Sequence, residues 1–241
     1  MLDVKIAETG TTLTYTDPVT GGKQVKGVDL TDLVKVLSTN VAFDMGFLPI
    51  GTRYIGIKGD QTHIAVERPA GIYDISFSSR GSGGGEHIGK ANLPAALFMF
   101  VLTKANEHYF VSNSYVFAMR QDSVMLGIDG LYKYPTPNIF PDARICWGQN
   151  DEALKNFKSL AALNGAVRRF FTAPFNDDLF QTSHLSSKFP WGQVPRDTVS
   201  PAAGYLKFLT EHPFDNEWLA THNSEFKNFD TAVKTIFKHG E

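Results

Sequence analysis

One cysteine stands in the whole chain, Cys146, eight residues after Asn138 in the stretch Tyr134 to Gly148, YPTPNIFPDARICWG. A lone thiol does nucleophilic chemistry only where its surroundings favour the thiolate and stabilise what forms after attack. The stretch holds residue types for both tasks. The side-chain amide of Asn138 can donate to an oxyanion, and Arg144 brings positive charge that favours a thiolate. Pro135, Pro137 and Pro141 stiffen the backbone between amide and sulfur. Plainer readings stand beside these. A single Cys is commonly a small buried hydrophobe, and an Asn after a Pro commonly shapes a turn through its own side chain. A free thiol ionises near pH 8.5, so reactivity at neutrality needs an activating environment.

Pro137-Asn138-Ile139 followed by Arg144-Ile145-Cys146 resembles the HPN…C active-site segment of ubiquitin-conjugating enzymes, in which the catalytic Cys typically sits eight residues after the Asn, often as R-I-C. The resemblance continues into a helix-like stretch, Ser159 to Thr172, and then Ala173-Pro174-Phe175-Asn176-Asp177-Asp178-Leu179, which looks like the family's post-cysteine helix and the P-N-P-x-D-P-L turn behind it. It spans roughly Ile50 to Leu179. The ICWG form and the long tail look most like the prokaryotic branch, of the family D or PRTRC-system protein B type. That resemblance implies a cysteine thioester carrier whose partners are a ThiF-like activating enzyme and a ubiquitin-like modifier. It implies catalytic roles for Cys146 and Asn138, with Thr136, Arg144, Trp147 and Asp151 in support. Thr136 occupies the position of the family's His, a mostly structural residue there. Asp151, between Asn150 and Glu152, matches the acidic group that orients an incoming amine, or is a solvated loop charge or helix cap. Trp147, if partly exposed, would wall a groove for the modifier's extended tail.

Composition bounds these expectations. The chain has 241 residues, 42% of them apolar and 19 of them Phe, enough for one large domain or one domain with extensions. A net charge of −2 and a pI near 6.4 give no general pull toward nucleic acid. A single Cys permits no internal disulfide and fits a reducing, cytoplasmic setting. No signal peptide is expected from MLDVKIAETG, and the longest apolar run, Leu93 to Leu102, is too short to span a bilayer.

The elements that must position the cysteine read as follows. Val4, Ile6, Leu13 and Tyr15 alternate with polar residues, and Asp17-Pro18…Gly21-Gly22 marks a turn, so residues 1–25 predict a hairpin-like piece. Leu30, Leu33, Val34 and Leu37 at helical spacing predict a helix behind the N-cap candidate Asp29. From Ile50 short β runs follow: Thr52–Lys58, Thr62–Arg68, Ile72–Ser78, Leu93–Thr103 and His108–Arg120, joined as an antiparallel meander. Arg80–Gly89 reads as a flexible loop; its glycines lack the phosphate-binding pattern. Leu160, Leu163, Val167, Phe170 and Phe171 form one helical stripe with Arg168 and Arg169 in the last turn. A linker-like stretch runs to Ser200, and two helical segments, Pro201–Glu211 and Ser224–His239, close the chain.

The fold expected is α+β, an antiparallel β-meander flanked by helices and ubiquitin-conjugating-like. Its parts are an extension over 1–49, a core over 50–180 and a C-terminal helical extension over 181–241. The seven histidines show no ligand spacing, and neither metal nor cofactor is expected. Three functions remain open: a thioester-carrying transferase, a catalytically inactive adaptor of the same fold that binds a ubiquitin-like or activating partner, and a structural component of a plasmid or phage system.

Overall fold

A computed structural model describes residues 2–7, 10–16, 21–28, 47–58, 60–79, 85–105, 107–120, 130–148, 154–195 and 200–237. The chain falls into two compact units, residues 1–45 and 46–241. The first is a three-stranded antiparallel sheet in the order β1 (Leu2–Ala7), β2 (Gly10–Thr16), β3 (Lys23–Val28). The hairpin is as the alternation predicts, with Leu2 opposite Tyr15 and Val4 opposite Leu13. The third strand carries no period-two pattern, its two valines lying three residues apart. The helix predicted behind Asp29 lies outside the described residues.

The second unit is built on five antiparallel strands in the order β10-β9-β8-β5-β4. These are β4 (Thr52–Lys58), β5 (Gln61–Arg68), β8 (Ala95–Ala105), β9 (His108–Met119) and the short β10 (Tyr132–Lys133). β8 is central, and its first eight residues, AALFMFVL, are all buried, because both faces of the sheet are covered. β5 runs against it from the pair Gln61–Thr103 to Arg68–Ala96. Gly51, at φ +84°, opens β4; any Cβ there would strike the Glu67 carbonyl at 2.3 Å, so the approach requires glycine.

The antiparallel strands occur as read, but the path is not a simple meander. Between β5 and β8 the chain leaves the sheet and makes a separate hairpin, β6 (Gly71–Phe77) with β7 (Glu86–Leu93). Pro69 and Pro94 sit where it departs and re-enters, and neither can donate a ladder hydrogen bond. The loop read over Arg80–Gly89 is therefore strand from Glu86 onward; residues 80–84 lie outside the described set.

Helix α1 (Leu163–Thr172) is led in by a 3₁₀ turn, Leu160–Ala162, whose Ser159 hydroxyl accepts from the Ala161 amide at 3.3 Å. Its predicted stripe is buried. Phe170 and Phe171 meet Phe98 of β8 edge-on at 5.3 and 5.8 Å, covering one face of the sheet. The opposite face, Leu97, Met99, Val101 and Phe117, is covered by Phe226, Phe229, Ala232 and Phe237. Those residues belong to or flank helix α3 (Phe229–Ile236). α3 starts five residues later than its apolar spacing predicts, because Asn228 caps it: Asn228 Oδ1 accepts from the Thr231 amide at 2.9 Å, and Thr231 Oγ1 accepts from the Asn228 amide at 3.1 Å. Helix α2 (Pro201–Glu211) packs on β7 behind the N-cap Ser200, with Pro201 in its first turn. The stretch read as a linker is packed as well. Phe189 is buried among Trp191, Tyr205, Phe208 and Trp218.

Candidate active site

The cysteine is carried at the end of a small hairpin leaning on the sheet. Beyond β10 the chain is buried from Tyr134 to Pro137 and is pinned through two tyrosines. Tyr205 of α2 donates to the Pro135 carbonyl at 2.6 Å, and Tyr134 donates to the Pro94 carbonyl at 3.4 Å. Burial pushes both phenols well above their ordinary range, so they remain donors.

Asn138 then turns the chain at φ 64°, a left-handed conformation that Asn tolerates better than most residues. Ile139 pairs with Ile145 across the hairpin, and the turn closes with the Ala143 amide donating to the Phe140 carbonyl at 2.9 Å. The Phe140 amide donates to the Arg144 carbonyl and the Cys146 amide to the Asn138 carbonyl, both at 2.8 Å. The returning arm docks on β9: the Ile145 amide donates to the Ser114 carbonyl at 2.9 Å and the Val116 amide to the Ala143 carbonyl at 3.0 Å. The eight-residue spacing thus has a geometric meaning. A hairpin of that length sets Asn138 and Cys146 directly opposite one another.

Each predicted side chain has a definite place. Cys146 is a free, half-buried thiol. The Asn138 amide nitrogen donates to the Pro174 carbonyl at 3.2 Å, tying the hairpin to the turn that follows α1. An amide nitrogen carries two hydrogens, so this contact leaves one for a second acceptor. Arg144 is half exposed, with Nε on Asp142 Oδ2 at 2.7 Å and its guanidinium 5.3 Å above the Phe140 ring, so its charge faces a carboxylate. Trp147 is half-buried, and Nε1 donates to Ser114 Oγ at 2.7 Å. Together with Asn113, Phe140 and Arg144 it lines a small groove of about 130 Å³. Asp151 lies outside the described residues.

Thr136, at the position of the family's His, is only 1% exposed, and its hydroxyl has no hydrogen-bond partner among the described residues. Against its backbone lies a residue no local pattern announces, His184, 3% exposed. Burial chiefly, then the charges of Lys133 and His222, hold its pKa down to about 4, partly offset by a hydrogen bond to the Thr136 backbone. His184 is therefore neutral at physiological pH. Its signal is tertiary: it follows the PFNDDL turn, and only the fold returns it to the Thr136 segment.

Among the described residues no helix is long and apolar enough to cross a membrane. No curated protein and no solved structure gives a match to this chain. Residues 30–200, which include the sheet, the cysteine hairpin, α1 and the Asn138–Pro174 tie, match the model of prokaryotic E2 family D, and the chain belongs to that family.

Proposed function

We propose that this protein is a thioester carrier in a ubiquitin-like conjugation pathway, with Cys146 as the acceptor. The Cys146 thiolate attacks the thioester carbonyl that links a ubiquitin-like modifier to a ThiF-like activating enzyme. A new C–S bond forms, and the activating enzyme's sulfur leaves as a thiolate. An acceptor amine then attacks the carbonyl, a C–N bond forms, the Cys146 thiolate leaves and the amine's extra proton passes to solvent. The amide hydrogen of Asn138 not directed at Pro174 is the donor for the oxyanion of both steps. Trp147 walls the groove in which the modifier's tail lies, and Asp151 orients the amine. The observation that carries this reading is the hairpin that sets Cys146 opposite Asn138 in a chain of an E2 family.

A second reading, a non-catalytic adaptor of the same fold, is favoured by the Asp142 carboxylate on Arg144 and by the engagement of Asn138 with Pro174. One experiment separates the two. Native protein and Cys146→Ser are incubated with the activating enzyme, modifier and ATP, and intact masses are read with and without thiol. The carrier reading expects a thiol-sensitive adduct on native protein and, in the serine variant, a thiol-resistant ester or none. An activating enzyme that charges itself and never passes the modifier on establishes the adaptor.

A further inference from the structure

The hairpin that leaves the main sheet also borders a groove whose lining is separate from that of the groove beside Trp147. Between β6 and α1 lies an apolar groove of about 490 Å³. Its floor is Val167 and Phe171, with Tyr73 stacked on Phe171 at 3.9 Å between ring centres. Ile72, on the rim, is 68% exposed. One end is closed by a polar knot: the Arg68 guanidinium donates to the Ile50 carbonyl and to Asn164 Oδ1, which also accepts from the Ile50 amide at 3.1 Å.

The groove runs along the edge of β6 away from β7. At Phe77 this outer edge of β6 already accepts a parallel segment: the Phe175 amide donates to the Ser76 carbonyl at 2.9 Å, and the Ser78 amide donates to the Phe175 carbonyl at 2.7 Å. By the period of two along a strand, Asp74 and Ile72 turn their amides and carbonyls to the same side. Among the described residues β6 has no strand neighbour but β7, and the Phe77–Phe175 bridge is the one further pairing along it. The charges are asymmetric. Asp74 is held by His87 at 2.5 Å, whereas Arg168 lines the groove, is exposed, and meets no carboxylate among the described residues.

We infer that this groove binds an extended peptide segment of a partner protein by strand addition to β6, with apolar side chains on Val167 and Phe171 and an acidic group on Arg168. The strand edge supplies main-chain hydrogen bonds, the apolar floor selects alternate side chains, and the exposed guanidinium selects a carboxylate. An occupant would lie in line with Phe175, whose neighbour Pro174 receives the Asn138 amide, so the groove points along the edge toward the cysteine hairpin.

The test uses full-length protein and fluorescein-labelled hexapeptide pools that alternate Thr with Val, Ile or Leu and end in Glu, Gln or Lys. Fluorescence anisotropy should show saturable binding of the Glu pool, weaker by about tenfold for the Lys pool. Arg168→Glu should invert that order, and Asp74→Pro, which removes an outward amide, should abolish binding of every pool. Arg168 is a surface residue, so its variant reads the groove even if the proline variant does not fold. Absence of saturable binding by all pools, or an order unchanged in Arg168→Glu, overturns the inference. So does a dimer in sedimentation that Asp74→Pro dissolves, which would give the edge to a second copy.

Discussion

At the scale of single residues, the spacing of Asn138 and Cys146 was legible through the resemblance to the HPN…C segment, but the hairpin that sets their backbones opposite one another was not; nor was His184, because nothing near it in sequence marks its burial. Asn138 holds both a positive φ and the tie to Pro174, and substitution separates the two. Asn138→Gly should be more stable than Asn138→Ala by about 1 kcal/mol, since only Ala suffers the left-handed backbone, as urea midpoints will show. Both remove the amide. If that amide stabilises the oxyanion, both should lose on the order of 100- to 1000-fold in transfer rate regardless of their difference in stability. A Gly variant with native turnover would end the oxyanion role. His184 predicts a pH dependence. Its folded pKa of about 4 lies below the ordinary 6.5, so between those values the unfolded chain binds the extra proton. Stability is therefore full above pH 6.5, declines as pH falls toward 4 and levels off below. The expected loss is about 3 kcal/mol. His222, also depressed chiefly by burial, adds to it in the same direction. Denaturation of native protein and His184→Gln at pH 7 and pH 4.5 checks this: the variant should lose less.

At the scale of elements, the sequence revealed what carries its own signal. α2 lies where it was read, Pro201 to Glu211, whereas α1 ends at Thr172 as read but begins only at Leu163, because the stretch read from Ser159 opens with a 3₁₀ turn. The start of α3 was misplaced because apolar spacing ran on through Phe226, while the Asn228–Thr231 capping box decides it. β7 escaped notice because Glu86, His87 and Lys90 interrupt its alternation and the glycines before it suggest a loop. That α2 reaches the cysteine segment was not legible at all, since Tyr205 and Pro135 are 70 residues apart. This contact has a testable worth. Tyr205→Phe leaves the buried Pro135 carbonyl without that donor and should cost about 1–3 kcal/mol. If the hydroxyl also fixes the site, Cys146 in the variant should react with iodoacetamide at an altered rate in conditions where the fold is intact by circular dichroism.

At the scale of the whole molecule, the family match ends at residue 200, yet the core does not. Phe226, Phe229 and Phe237 pack with Leu97, Met99, Val101 and Phe117 on one face of the sheet. Losing a buried Phe costs about 3–5 kcal/mol, so three together reach the full stability of an ordinary domain, about 5–15 kcal/mol. A chain stopped at residue 200 should therefore be unfolded at 25 °C, with no cooperative thermal transition by circular dichroism; a cooperative melt would show that the sheet stands without α3. Composition announced an ample core and periodicity announced its helices, but which helix covers which face is decided by packing between distant segments. Tyr54 on β4 stacks against Phe237 with ring centres 5.5 Å apart, so the first strand of the main sheet is completed by the last phenylalanine of the sequence. Kinetically, that contact makes the core a long loop to close. Early-formed pieces such as the β6–β7 hairpin gain little until β4 and α3 meet, so refolding belongs with the slow, high-contact-order class, in milliseconds to seconds. The sheet face under α3 is the surface that a chaperone would meet in the interval.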